Sequence, residues 1–210
     1  MSVAGDTGPY RDHASRDQAL HLGVWVFLGS ETLLFAGLFA LYAAQRTEHA
    51  AAFHEAAAHN EVWVGTVNTI VLLVSSFFVA WAVHMVRRDR ARAALLSLGA
   101  TVLLGLTFLG LKAYEYAHHL SEGFAPGVAY ANEELTSGGA RMFFTLYYAM
   151  TGLHALHVIA GLAIIGVIAI GVRRRRVNAA RPTLLELGGL YWHLVDVVWI
   201  FLWPLLYLSA

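Results

Sequence analysis

Apolar residues in this chain gather into five long runs, at roughly 22–44, 62–86, 94–117, 142–172 and 185–208, separated by short polar stretches. Each run approaches or exceeds the ~20 residues that a helix rising about 1.5 Å per residue needs to cross a bilayer. The pattern predicts an all-α fold: a polytopic membrane bundle of five transmembrane helices, with 20–210 as a single domain. Residues 1–19 are polar and mixed in charge, without the basic start and short apolar core of a signal peptide, and are expected to form a flexible tail. The stretch 49–55 is too polar and too short to span and is expected as a loop with one surface turn. The stretch 121–140, broken by Pro126 and the Gly138-Gly139 pair, is expected as the longest loop. An odd number of spans with unlike motifs does not divide into the two halves of a repeat transporter.

Arginine orients the bundle. The loop after the second run holds Arg87, Arg88, Arg90 and Arg92, and the loop after the fourth holds Arg173, Arg174, Arg175, Arg176 and Arg181. The alternate loops carry only Arg46 and Arg141. By the positive-inside rule the arginine-rich loops are cytoplasmic, the N-terminal tail lies inside and the C-terminus outside. Composition adds little to this. The 58% hydrophobic content exceeds the ~45–50% of soluble domains, and 14 basic residues balance 14 acidic ones, so nothing suggests a nucleic-acid partner. The chain contains no cysteine, which removes disulfides and thiolate metal sites.

Candidate chemistry is confined to polar residues inside the runs. In the last run Trp192, Asp196, Trp199 and Trp203 share one helical stripe, and His193 stands three residues before Asp196. Such a stripe is either a seam that glues helices together or a place for proton or cofactor chemistry. Glu31 lies roughly 14 Å into the first helix, and its helical neighbours Phe27, Leu28, Leu34 and Phe35 cannot hydrogen-bond a carboxylate. Its partner must come from another helix, from water or from a second protein, or the group stays protonated; by depth, His157 and His193 are the nearest choices.

The second run carries Asn68, Thr69, Ser75 and Ser76 on one narrow stripe with Gly65 and Ala80, which predicts a helix-packing seam. Lys112 and Glu115, three apart near the outer boundary, predict a structural ion pair or side chains that snorkel to the headgroups. His154 and His157 lie one turn apart in the fourth run. Axial haem ligands approach iron from opposite sides, so these two cannot clamp one haem between them. A bis-histidine haem b membrane cytochrome would need one of them together with His84 or His193, and spacing leaves that alternative open.

Taken in order, five motifs carry a resemblance: Ser30-Glu31; Val67-Asn68-Thr69 with Ser75-Ser76; Lys112-Ala113-Tyr114-Glu115-Tyr116; Thr151-Gly152-Leu153-His154-Ala155-Leu156-His157-Val158; and Tyr191-Trp192-His193-Leu194-Val195-Asp196-Val197-Val198-Trp199. Together they resemble subunit III of the haem-copper terminal oxidases, across all five helices. The resemblance implies an integral subunit with no catalytic residue and no haem, copper or other metal of its own. Haem and copper would sit in partner subunits; this chain would pack directly against the catalytic subunit I, alongside subunit II and other subunits of the respiratory complex. It also implies support for assembly, for proton uptake and for resistance to inactivation during turnover, with phospholipid bound between the helices, in a bacterial-type cytoplasmic membrane. Glu31 matches the family's buried glutamate, and Glu115, His154, His157, His193 and Asp196 match its polar helix contacts and lipid-lined cleft. The longer members have seven helices, and this chain is similar to the five-helix branch, which is without the first two helices and so without one wall of the long form's two-bundle lipid cleft. That branch includes subunits of cytochrome c oxidases, of quinol oxidases and of a nitric-oxide-reductase-associated protein; the motif wording favours cytochrome c oxidase, although the electron donor is not set in this subunit.

Overall fold

The computed structural model describes residues 13–208, with side chains from residue 18 onward. Six helices follow one another: α1 (His13–Glu48), α2 (Ala50–Ala57), α3 (Val62–Arg87), α4 (Ala91–Ser121), α5 (Gly138–Arg173) and α6 (Thr183–Tyr207), with a 3-10 turn at Gly127–Ala129 before α5. Five of them, all but α2, are long and apolar enough to cross a membrane. They coincide with the five predicted runs. The tail expected over 1–19 falls mostly outside the described residues, and α1 already begins at His13, ahead of the boundary at residue 20.

Helix ends show why the hairpins are tight. After α3 the Arg90 amide donates to the Met85 carbonyl and the Asp89 amide to Val86, with Asp89 at φ +54°. After α5 the same pattern recurs, Arg176 to Gly171 and Arg175 to Val172, with Arg175 at φ +57°. Both are left-handed caps of the kind usually given to glycine. The two strained residues then meet: Arg175 Nη1 lies 3.1 Å from Asp89 Oδ1, and Arg87 pairs with Glu186 at 2.8 Å. These links put the two arginine-rich loops at one end of the bundle.

The stretch 49–55, expected as a loop with one surface turn, instead enters a short helix, α2, from Ala50 onward. Its eight residues supply little beyond alanine, and packing supplies the rest. Phe53 is buried against Tyr42 and Phe143, with ring centroids 5.3 and 5.5 Å away. Gly139 lets the short helix lie against α5, because a Cβ there would stand 2.7 Å from Ala52 Cβ.

In the centre, α6 packs on α3, α5 and, more lightly, α1, while α4 closes against α3 and α5. Half of the most apolar stretch of α6 is buried, against 11% for α1, so α6 is the axis of the bundle and α1 its periphery. Glycines set that arrangement at one point. Trp192 of α6 is wholly buried between Gly105 of α4 and Gly161 of α5, where added Cβ atoms would come within 3.0 and 2.8 Å of its indole ring.

Candidate functional site

Four sets of polar side chains within the spans include the candidate residues, and they draw on different combinations of helices. The first joins α1 to α5. Glu31 Oε2 lies 2.8 Å from His157 Nε2, so of the two partners the sequence offered, the structure supplies His157. His157 Nδ1 is 2.8 Å from the Leu153 carbonyl oxygen, which can only accept, so Nδ1 carries a hydrogen. The contact between Nε2 and Oε2 therefore holds one proton, as a neutral acid with a neutral imidazole or as a carboxylate with an imidazolium. Tyr191 of α6 ties in the third helix by donating to the His157 carbonyl at 3.1 Å.

The second group is the interface of α3 and α6. Trp192 Nε1 donates to Ser75 Oγ and Trp199 Nε1 to Thr69 Oγ1, each at 3.0 Å. Both hydroxyls donate to carbonyls of their own helix, Ser75 to Leu72 and Thr69 to Gly65, so they meet the indoles with free lone pairs. Two members of the predicted tryptophan stripe thus find partners on the predicted Asn68, Thr69, Ser75 and Ser76 seam. His193 does not turn to Asp196; its Nδ1 bonds to the Ser76 hydroxyl. Asn68 and Asp196 are buried at 0% and 3% exposure, and neither side chain makes a hydrogen bond of ordinary geometry among the described residues.

A third group closes α4 onto α5 and α6. Lys112 Nζ donates to Glu115 Oε2 at 3.0 Å, to Tyr147 Oη at 2.8 Å and to Tyr207 Oη at 3.0 Å. Each tyrosine hydroxyl in turn donates to Glu115 Oε1, at 2.7 and 2.6 Å. All three ammonium hydrogens and both hydroxyl hydrogens are used. The ion pair expected from the i, i+3 spacing is present, but it does not snorkel: both side chains are almost fully buried, at 3% and 2% exposure. Sequence reasoning missed Tyr147 and Tyr207; the signal was a phenol within each of two mainly apolar runs, which needs a polar partner when buried. Beside the cage, Tyr116 and Thr151 share a hydrogen bond of 2.6 Å.

The fourth group is His154 alone. Its ring is enclosed by Phe35, Phe108 and Trp199 with centroids 6.5, 5.5 and 5.2 Å away. No haem face can reach it without displacing those rings. His157 has both nitrogens engaged, His193 has Nδ1 engaged, and His84 lies exposed beside Trp81 at the arginine-rich end. With His154 enclosed by rings and both His157 nitrogens engaged, the geometry does not favour the bis-histidine alternative. Among the described residues, no group of three or more histidine, aspartate or glutamate side chains is arranged to hold a metal ion.

Comparison with known proteins adds to this geometry. Residues 7–210 match the family described as cytochrome c oxidase subunit III. A cytochrome c oxidase subunit 3 of Thermostichus vulcanus is 36% identical over 199 residues, covering 94% of this chain and 91% of the relative. One from Bacillus subtilis is 35% identical over 190 residues, covering 90% and 86%. A probable quinol oxidase subunit 3 of Staphylococcus haemolyticus is 30% identical over 206 residues, covering 98% and 96%.

Proposed function

The chain belongs to the cytochrome c oxidase subunit III family, and on that premise we propose that it is a non-catalytic membrane subunit of a haem-copper terminal oxidase. The observation that carries this reading is the match over residues 7–210, running through every span. The polar groups agree with it: the Lys112, Glu115, Tyr147 and Tyr207 cage spends its donors on holding three helices together, which is support rather than chemistry. Haem and copper then belong to partner subunits, subunit I in direct contact and subunit II within the same complex. The subunit stabilises subunit I during assembly and turnover and assists its proton uptake.

The arginine-rich end is the cytoplasmic one, by the positive-inside rule, in a bacterial-type cytoplasmic membrane. At that end a groove of about 840 Å³ has an apolar wall that includes Leu20, Val167 and Leu187, and a rim with Arg174, Arg176 and Arg181. A phospholipid fits this division, acyl chains along the wall and phosphate at the guanidinium groups. Cytochrome c is the proposed electron donor of the complex, in keeping with the relatives of 36% and 35% identity.

The test is to purify the complex through this subunit, record its haem spectrum and its subunits, and compare it with a complex assembled without the subunit. The depleted complex is expected to reduce oxygen at the normal initial rate and then to lose activity faster during turnover. Immediate inactivity of an assembled, haem-loaded complex would assign the chain a direct catalytic part instead. Oxidation of quinol but not of cytochrome c would move it to the quinol oxidase branch.

A further inference from the structure

His193 sits ten residues beyond Thr183, the first residue of α6, and so about 15 Å along the helix, half of the ~30 Å hydrocarbon thickness. Its Nδ1 is taken by Ser76, but its Nε2 has no hydrogen-bond partner among the described residues and is not sealed in the core. Around it, the surface of the seam between α3 and α6 is apolar and open: Leu73 and Phe77 are 48% and 59% exposed, Val197 and Ile200 47% and 41%. Ser76 and Ala80, one turn apart on α3, present small side chains that permit close approach of another helix.

Hydrocarbon offers this nitrogen nothing, and a polar group left unpaired at that depth is costly. Phospholipid headgroups lie too far away, and an imidazole has no long stem with which to reach them. What can meet Nε2 there is a polar side chain carried to mid-bilayer by another helix. We propose that the α3–α6 seam is a docking surface for one transmembrane helix of an oxidase partner subunit, which presents a hydrogen-bonding side chain to His193. This rests on the reading of the chain as an oxidase subunit, and it adds which face is covered and by what chemistry.

A photo-crosslinking residue, benzoylphenylalanine, placed at Val197 or Leu73 tests the seam, and the same residue at Leu156 or Val167 tests the exposed face of α5, all in the intact complex in its native membrane. Seam positions are expected to give adducts with an oxidase subunit, and the α5 positions adducts with lipid. Alongside, His193→Gln should keep the chain in the detergent-solubilised complex, whereas His193→Phe should lower its retention about three- to fifteenfold, the span of one inter-helix hydrogen bond in a membrane. Subunit adducts from α5 alone, or seam adducts only with lipid or with a second copy of this chain, overturn the inference while leaving the oxidase reading intact. So does His193→Phe retained as well as the parent. A chain that co-purifies with no oxidase subunit at all overturns the functional reading, and the docking surface falls with it.

Discussion

Replacing Lys112 by methionine removes the ammonium from a cage in which the carboxylate it faces is 2% exposed. Methionine fills similar volume, so the loss is electrostatic rather than steric. Glu115 would keep two tyrosine donors but no counter-charge, and breaking a buried pair in this way costs about 3–5 kcal/mol. Glu115→Gln strands the ammonium in the same manner and at similar cost. The double variant, Lys112→Met with Glu115→Gln, behaves differently: no charge is left, and the amide oxygen still accepts from both phenols. What it loses is the lysine's three hydrogen bonds, one to the carboxyl and two to the phenol oxygens, a cost of about 1–3 kcal/mol. Independent sites would add to about 6–10 kcal/mol. The double variant should thus be more stable than either single one. Unfolding of the purified chain in mixed micelles, followed by circular dichroism as the denaturing detergent fraction rises, measures all four corners of the cycle. An additive double variant, or a Lys112→Met loss below about 1 kcal/mol, would refute the argument that the pair is a desolvated unit.

At Glu31 the one-proton contact with His157 predicts that Glu31→Gln, which retains a donor for Nε2, is mild, whereas Glu31→Ala leaves Nε2 unpaired and costs about 1–3 kcal/mol in the same unfolding assay. An infrared carboxyl band that shifts during turnover and disappears in Glu31→Gln would mean that the proton moves and that the contact is more than structural. Gly161→Val should destabilise by about 1–3 kcal/mol because its Cβ meets the Trp192 ring, whereas Gly166→Val, with open space around its Cβ, should stay within about 0.5 kcal/mol. Cysteines in place of Arg90 and Arg175 should react with an impermeant reagent only from the cytoplasm and one in place of Glu133 only from outside; labelling of all three from one side would break the orientation.

The five spans were legible because the bilayer imposes a length and a polarity that few other structures demand. Residue pairs within one helix were legible too: Lys112 and Glu115 announce themselves by spacing. Their enclosure did not, since Tyr147 lies 35 residues and Tyr207 95 residues beyond Lys112, and no local pattern joins them. His193 illustrates the limit from the other side. Its spacing to Asp196 suggested a partner on its own helix, but Ser76 of α3, 117 residues away, takes its Nδ1. The extent of α2, beyond the one turn expected, was not legible because one aromatic side chain in an alanine-rich octamer carries no periodicity, and its contacts with Tyr42 and Phe143 lie outside the octamer.

Order of synthesis gives the notch around Trp192 a further meaning. Of the five spans, α6 is the last to leave the ribosome, yet α3, α5 and, more lightly, α1 all pack on it. The earlier helices must therefore wait in the bilayer with a vacancy shaped for an indole that has not yet been made, and Gly105 and Gly161 keep that vacancy from being filled by their own side chains. Waiting in hydrocarbon is tolerable because Ser75 and Thr69 have already turned their hydroxyl hydrogens onto Leu72 and Gly65 of their own helix. The half-built bundle exposes acceptors rather than stranded donors along that wall, and the two indoles of α6 arrive to find lone pairs ready for them.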